Sequence, residues 1–202
     1  MFNPDYFKID DPKEMLAFLD VNNFGLLISQ QDGTPCASHI PFLPNADASL
    51  LRCHLARANP QWQQLEGQRV LVALQGTHDY ISPTWYKNSG VPTWNYQALH
   101  IYGTCRVFDD PTEMAELVNA LAAHHEAGSD NPWQPNYGKK MLRGIVGIEM
   151  TVDEMQCKYK LSQNRPVDDH EPVIEKLEAR GADTLAAAMR KTLELPAGTD
   201  HE

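Results

Sequence analysis

Hydrophobic and polar positions alternate along this chain in short runs bounded by residues that turn or stop the backbone. Phe24 onward (FGLLISQ), Pro35 to Phe42, Leu50 to Ala56, Arg69 to Leu74 and Ala98 to Phe108 are rich in β-branched, aromatic and Leu residues and predict strands. Asp32-Gly33 predicts a hairpin between the first two. Ile145 to Val152 and Met155 to Leu161 predict two further strands separated by Asp153-Glu154, and Gly103 inside the Ala98 run predicts a bulge or a close backbone approach. Helical spacing is confined to a few segments. Pro12 to about Val21 has Asp11 as cap, Glu14 to complete a capping box, and a stripe of Met15, Leu16 and Leu19. Asp110 starts a helix with Met114, Leu117, Val118 and Leu121 on one face, ended by Gly128, and Lys139 to Arg143 predicts a helical turn. A closing helical pair breaks at Gly181, and its second member carries only the narrow stripe Leu185, Met189 and Leu193. Short strands without βαβ alternation predict a mainly β, α+β fold: an antiparallel barrel with peripheral helices over residues 1–165, and a helical tail over 166–202.

The stretch from His78 to Thr104 departs from a plain core strand. It holds Trp85 and Trp94 with Tyr80, Tyr86, Tyr96 and Tyr102, and Ser82, Lys87, Asn95, Gln97 and His100 lie among them. Large amphipathic rings offer a flat apolar face and a hydrogen-bonding tip, which suits a planar ligand, a subunit interface or a loop packed on its own core. A second candidate lies at Arg57 to Leu65. Asn59 is a good helix cap and Pro60 a good first helical residue, so a helix N-terminus beside the Arg57 guanidinium offers a phosphate site, or else an ordinary capped helix with a surface Arg.

Composition narrows the function. The 202 residues hold 27 Asp and Glu against 17 Lys and Arg, a net charge of −10 that disfavours nonspecific attraction to nucleic acid or anionic membrane. No apolar run is long enough to span a bilayer, and the opening MFNPDYFKID lacks the layout of a secretion signal, which predicts a cytoplasmic protein. Cys36, Cys53, Cys105 and Cys157 are widely spaced in predicted strands and predict buried reduced thiols, and no metal site is expected. Neither a G-x-G-x-x-G nor a Walker pattern is present.

A set of strings spread along nearly the whole chain carries a family resemblance: FNPDYF at 2–7, SHIPF at 38–42, HLARANPQW at 54–62, YISPTWY at 80–86, VPTWNYQALHIYGT at 91–104 and LSQNR at 161–165. Together they resemble the PaiB-like transcriptional regulators, part of the flavin-binding split-barrel superfamily that includes pyridoxamine 5'-phosphate oxidase. The resemblance implies a six-stranded Greek-key split barrel that forms a homodimer, with FMN in clefts between subunits. Arg57 and Asn59 would match the phosphate end, His54 and Ala56 the strand beside the ribityl chain, and Ser38, His39 and Ile40 the isoalloxazine. The second subunit would contribute Trp85, Trp94, Asn95, Tyr96 and Gln97, and Lys160, Ser162 and Gln163 would close the cleft. The superfamily implies either a regulatory module or a flavin-dependent oxidoreductase acting on a small molecule, and no catalytic residue is assigned. Haem binding or breakdown, known in other split-barrel relatives, would draw on His39, His54, His78 or His100, whose strand-like setting better fits structural His. The acidic net charge and the missing basic recognition helix argue against direct DNA binding.

Overall fold

The computed structural model describes residues 1–194, so 195–202, the end of the predicted tail, lie outside the described residues. The strands are β1 (Lys8–Ile9), β2 (Phe24–Gln31), β3 (Thr34–Pro41), β4 (Leu43–Pro44), β5 (Leu50–Ala56), β6 (Arg69–Ile81), β7 (Thr93–Phe108) and β8 (Ile145–Lys160). The helices are α1 (Pro12–Val21), α2 (Pro111–Glu126), α3 (Lys139–Leu142), α4 (His170–Ala179) and α5 (Asp183–Glu194). Hydrogen bonding orders the strands β3-β2-β6-β7-β8-β5-β4, with β1 on β8. Every pair with an assigned register is antiparallel. This is the expected mainly β, split-barrel class with peripheral helices. The strand count is eight rather than six, because β1 and β4 are two-residue bridges that no periodicity can reveal.

Three strands run further than their apolar pattern. β6 continues past Leu74 into QGTHDYI, β7 begins at Thr93, and Asp153-Glu154 lies inside an unbroken β8. The carboxylate of Asp153 is stabilised there by a forked Arg69 guanidinium, at 3.0 Å from Nε and 2.8 Å from Nη2. Two acidic residues thus remain in a strand instead of turning it.

The chain divides into two compact units. One comprises residues 1–15, 75–99 and 156–194, and the other Leu16–Leu74 and His100–Met155. In the second unit the Asp32-Gly33 turn has both residues at positive φ, 52° and 79°, as a tight hairpin with matched twist requires. Asp110 caps α2 by accepting from Thr112 N and Glu113 N, and Met114, Leu117 and Leu121 bury against Phe108. In the first unit Asp11 caps α1 through Lys13 N. Glu14 does not complete the predicted box; it accepts from the Tyr159 hydroxyl at 3.0 Å and from Lys191 at 2.8 Å. Gly181, at φ 80°, ends α4, and Leu185 and Met189 of α5 are buried while Leu193 is exposed. Cys53, Cys105 and Cys157 are buried free thiols and Cys36 is half-buried; burial pushes the Cys105 and Cys157 thiols each up to about 12.

Gly103 is a close approach. A Cβ there would sit 2.2 Å from Thr151 O and 2.7 Å from Met150 Cγ. The first neighbour is backbone and cannot yield, so Gly103→Ala should lower stability by about 1–3 kcal/mol through overpacking. Urea denaturation monitored by tryptophan fluorescence measures it, and an unchanged midpoint would contradict the close approach.

Candidate functional site

The predicted residues of β3, β5 and the segment after β5 all belong to the second unit, where one side chain that sequence reading passed over holds several of them. Gln61 is 1 % exposed and its carboxamide is fully engaged. Its Nε2 donates to Leu27 O at 3.0 Å, Ser29 Oγ at 2.9 Å and Cys36 O at 3.4 Å, and its Oε1 accepts from Ser38 Oγ at 2.6 Å. Asn59 closes the circuit: its Nδ2 donates to Ser38 Oγ at 2.8 Å and its Oδ1 accepts from Gln61 N at 3.0 Å. Ser38 and Asn59 are thus brought together. His39 is not, because side chains alternate along a strand and it faces away from Ser38 and Ile40. It is exposed and stacks on Phe24 at 6.4 Å.

The helix foreseen after Asn59 is a five-residue 3-10 turn, Pro60–Gln64, whose second amide Asn59 already occupies. No helix N-terminus of useful length is offered there. Arg57 has its own partners: Nε donates to Arg143 O at 2.8 Å, and Nη2 to Ile145 O at 3.2 Å and to Asp109 at 3.3 Å. Its Nη1 bonds to nothing among the described residues. His54 is half-buried on β5 beside exposed Ala56; its Nδ1 is shielded from solvent without a partner among the described residues, and burial pushes its pKa below the ordinary His value.

The remaining candidates belong to the first unit. Trp94 is 54 % exposed, with its ring 6.3 Å from His78 and 6.2 Å, edge-on, from Tyr80. Trp85 lies under the Arg180 guanidinium at 5.7 Å, and Tyr96 under Lys158 at 5.5 Å, while Gln97 is half-buried. Asn95 is fully buried; Nδ2 donates to Ser162 Oγ at 2.9 Å and to Met189 Sδ at 3.4 Å, but Oδ1 has no partner among the described residues. Lys160 donates to Thr93 Oγ1 and Trp94 O. Gln163 folds back on its own turn, accepting from Leu161 N at 2.7 Å and donating to Tyr159 O at 2.6 Å. That clamp holds Ser162 at φ 73°, a conformation that costs a non-glycine residue about 1–3 kcal/mol and that clusters at functional positions.

A buried ion pair behind this turn was also missed. Asp169 is completely buried and accepts from Asn88 N at 2.9 Å, Asn88 Nδ2 at 3.1 Å and the Arg165 guanidinium at 2.5 and 3.0 Å. Burial raises its pKa, but the Asn88 amide, Arg165 and the Asn88 side chain outweigh that and hold it below the usual carboxylate range. The i,i+4 spacing of Arg165 and Asp169 was the available signal. Nothing in the sequence marked Asn88 as the third member.

A family model described as "Putative FMN-binding domain" matches residues 1–154. A Bacillus subtilis protein named "Protease synthase and sporulation protein PAI 2" is 40% identical over 186 residues, covering 88% of this chain and 89% of its own. An uncharacterised protein of Emericella nidulans is 32% identical over 192 residues, covering 73% and 76%. Among solved structures, the flavocytochrome Anf3 of Azotobacter vinelandii superposes with a TM-score of 0.63 at 15% identity over 76% of this chain and 69% of that one. An FAD and heme binding protein of Mycobacterium smegmatis gives 0.63 at 17% identity over 76% and 73%. At these identities the two structures share the fold.

Two outcomes follow from this geometry. Gln61→Leu keeps the volume but strands the partners of four hydrogen bonds, so stability should fall by about 2–4 kcal/mol, measurable by chemical denaturation; a loss below about 0.5 kcal/mol would remove Gln61 from its place as the organising side chain. His54 is held neutral in the folded chain, so as pH falls below about 6.5 the unfolded chain takes up its proton first. Stability from this group is complete above that pH and is lost as pH drops through the lower folded value. His54→Gln should therefore flatten the decline in melting temperature as pH falls below about 6.5, and an unchanged slope would contradict the shift.

Proposed function

Because this chain belongs to the PaiB-like family of FMN-binding domains, with FMN as its cofactor, we propose that it holds FMN in a cleft between two copies of itself and acts as a flavin-dependent regulatory protein. The observation that carries the reading is the placement of unpaired buried polar atoms. Among the described residues five buried polar atoms lack a partner, and two of them, His54 Nδ1 and Asn95 Oδ1, lie on residues the family resemblance assigns to the flavin site, while the others belong to Asn3, His100 and His170. A buried hydrogen-bonding atom without a partner costs about 1–3 kcal/mol, which a ligand bearing hydroxyl, carbonyl and ring N–H groups would recover. The isoalloxazine and ribityl chain carry such groups, so the donor set fits.

In this reading Arg57 Nη1 and the Asn59 end of one subunit hold the phosphate, His54 faces the ribityl chain, and Ser38 and Ile40 orient the ring. The partner copy supplies the face bearing Trp94, Asn95, Tyr96 and Gln97, with Trp85 beside it and Lys160, Ser162 and Gln163 at its edge. Exposed Trp94 and Tyr80 are the kind of amphipathic rings that a subunit contact covers. Bound FMN supplies one- and two-electron chemistry at its ring, while the chain binds, orients and shields it. The net charge of −10 supports regulation through the flavin or another protein rather than through duplex DNA.

Titration with FMN and with riboflavin, followed by quenching of flavin fluorescence, tests the assignment. Arg57→Ala should weaken FMN ten- to a hundredfold, the loss of a charge-assisted contact of about 1.5–3 kcal/mol, and leave riboflavin nearly unchanged. Equal weakening of both would reduce Arg57 to its bonds with Arg143 and Ile145. Sedimentation at micromolar concentration should show a dimer; a monomer that retains FMN rejects the shared cleft. Rapid reduction of bound FMN by NADPH with turnover of an added acceptor would replace the regulatory reading with an oxidoreductase.

A further inference from the structure

Nine of the described Lys and Arg side chains face carboxylates, among them Arg52 on Glu149, Arg165 on Asp169, and Arg190 on Glu171 and Glu178. Lys158 and Lys160 form no ion pair among the described residues. They lie two apart on β8 and so share a face of the strand. Lys158 is only 6 % exposed. Its ammonium donates to Phe2 O at 2.9 Å and lies 5.6 Å from the ring centres of Phe2 and Phe7 and 5.5 Å from that of Tyr96. The Lys160 ammonium is 5.9 Å from the same Phe7 ring.

Two positive charges thus converge on one aromatic ring, one nearly buried, with no anion among the described residues to offset them. Cation–π contact recovers only part of the desolvation cost of a buried ammonium. An ammonium has three donors; Lys160 spends two on Thr93 and Trp94 and Lys158 one on Phe2, so N–H groups remain at both. Burial and the charge of Lys158 push the Lys160 pKa down, a penalty that a bound anion removes.

The geometry points to a binding site for a small organic anion, its carboxylate or phosphate on the Lys158 and Lys160 ammonium groups and its apolar body beside the exposed Trp94. This rests on the reading that the FMN phosphate is held at Arg57 and Asn59, so the anion is a second ligand, a substrate or effector of the flavin site.

The probes are benzoate, its neutral counterpart benzyl alcohol, and inorganic phosphate, titrated into the FMN-loaded full chain by calorimetry with Trp fluorescence alongside. Benzoate or phosphate should bind saturably and at least tenfold more tightly than benzyl alcohol, and the tighter of the two names the headgroup. Lys160→Gln should weaken that binding at least tenfold with an unchanged circular dichroism spectrum. Lys158→Met should also weaken it while raising the melting temperature, because it removes an unpaired buried charge. A purely structural Lys158 gives a lower melting temperature and unaltered anion binding, which overturns the proposal, as does benzoate and phosphate binding no tighter than the alcohol. If Lys160→Gln weakens FMN but not riboflavin, the two lysines hold the flavin phosphate itself and the second-ligand proposal falls. If the chain retains no FMN, anion binding by the apoprotein sustains this site while the flavin assignment alone fails.

Discussion

The buried carboxamide of Gln61 is the constraint on which the ordered polar interior of the larger unit depends. A primary amide withdrawn from water must spend its hydrogen-bonding capacity inside the protein, and Gln61 does so on β2 and on β3. Its demand fixes the Ser38 hydroxyl as a donor to Gln61, which leaves the hydroxyl oxygen to accept from Asn59. Ser38 and Asn59 therefore present a fixed pattern to whatever lies against them. The residues that look like ligand contacts and the residue that holds the fold are parts of one hydrogen-bonded circuit.

The smaller unit reaches the same end with a charge. Asp169, fully buried, is tolerable only because four donors converge on it from Asn88 and Arg165. The bond of Arg165 to Ser89 O extends the hold into the loop that interrupts the aromatic stretch. With that loop and the strained Ser162 turn pinned from behind, Trp94 stays exposed on an ordered backbone. A preformed apolar surface binds at less entropic cost than one that must be ordered on contact.

Elements whose information is local were legible. The Asp32-Gly33 hairpin and the Asp110 cap with its Met114, Leu117 and Leu121 face follow from neighbouring residues, and the structure shows each; of the two readings open at Gly103, a bulge or a close backbone approach, it shows the second, made to Thr151 and Met150. Extents set by tertiary pairing were not. The Asp153-Glu154 dipeptide reads as a turn until Arg69, distant in sequence, supplies the opposing charge. The candidate site divides in the same way. Residue types at Asn95 and Trp94 stood out against an apolar strand pattern and Ser162 entered only through the family resemblance, whereas the engagement of Arg57 with carbonyls at 143 and 145 and the centrality of Gln61 depend on partners far along the chain.

Charge sets the remaining condition on ligand capture. At physiological ionic strength a surface charge is screened beyond about 8 Å, so the overall net charge of −10 neither attracts nor strongly repels an anion already at contact distance. Affinity must come from cations placed locally, and the two local sets differ in kind. Arg57 is neutralised by Asp109, but that carboxylate side chain is 66% exposed and the pair is therefore worth about 0–1 kcal/mol, so the phosphate proposed for this end would displace it cheaply while the carbonyl bonds at Arg143 and Ile145 keep the guanidinium aimed. Lys158 and Lys160 have no carboxylate to displace among the described residues and are held in place by aromatic rings and neutral oxygens. An anion gains more from the second arrangement for each charge it brings, because it relieves a repulsion already present in the folded chain.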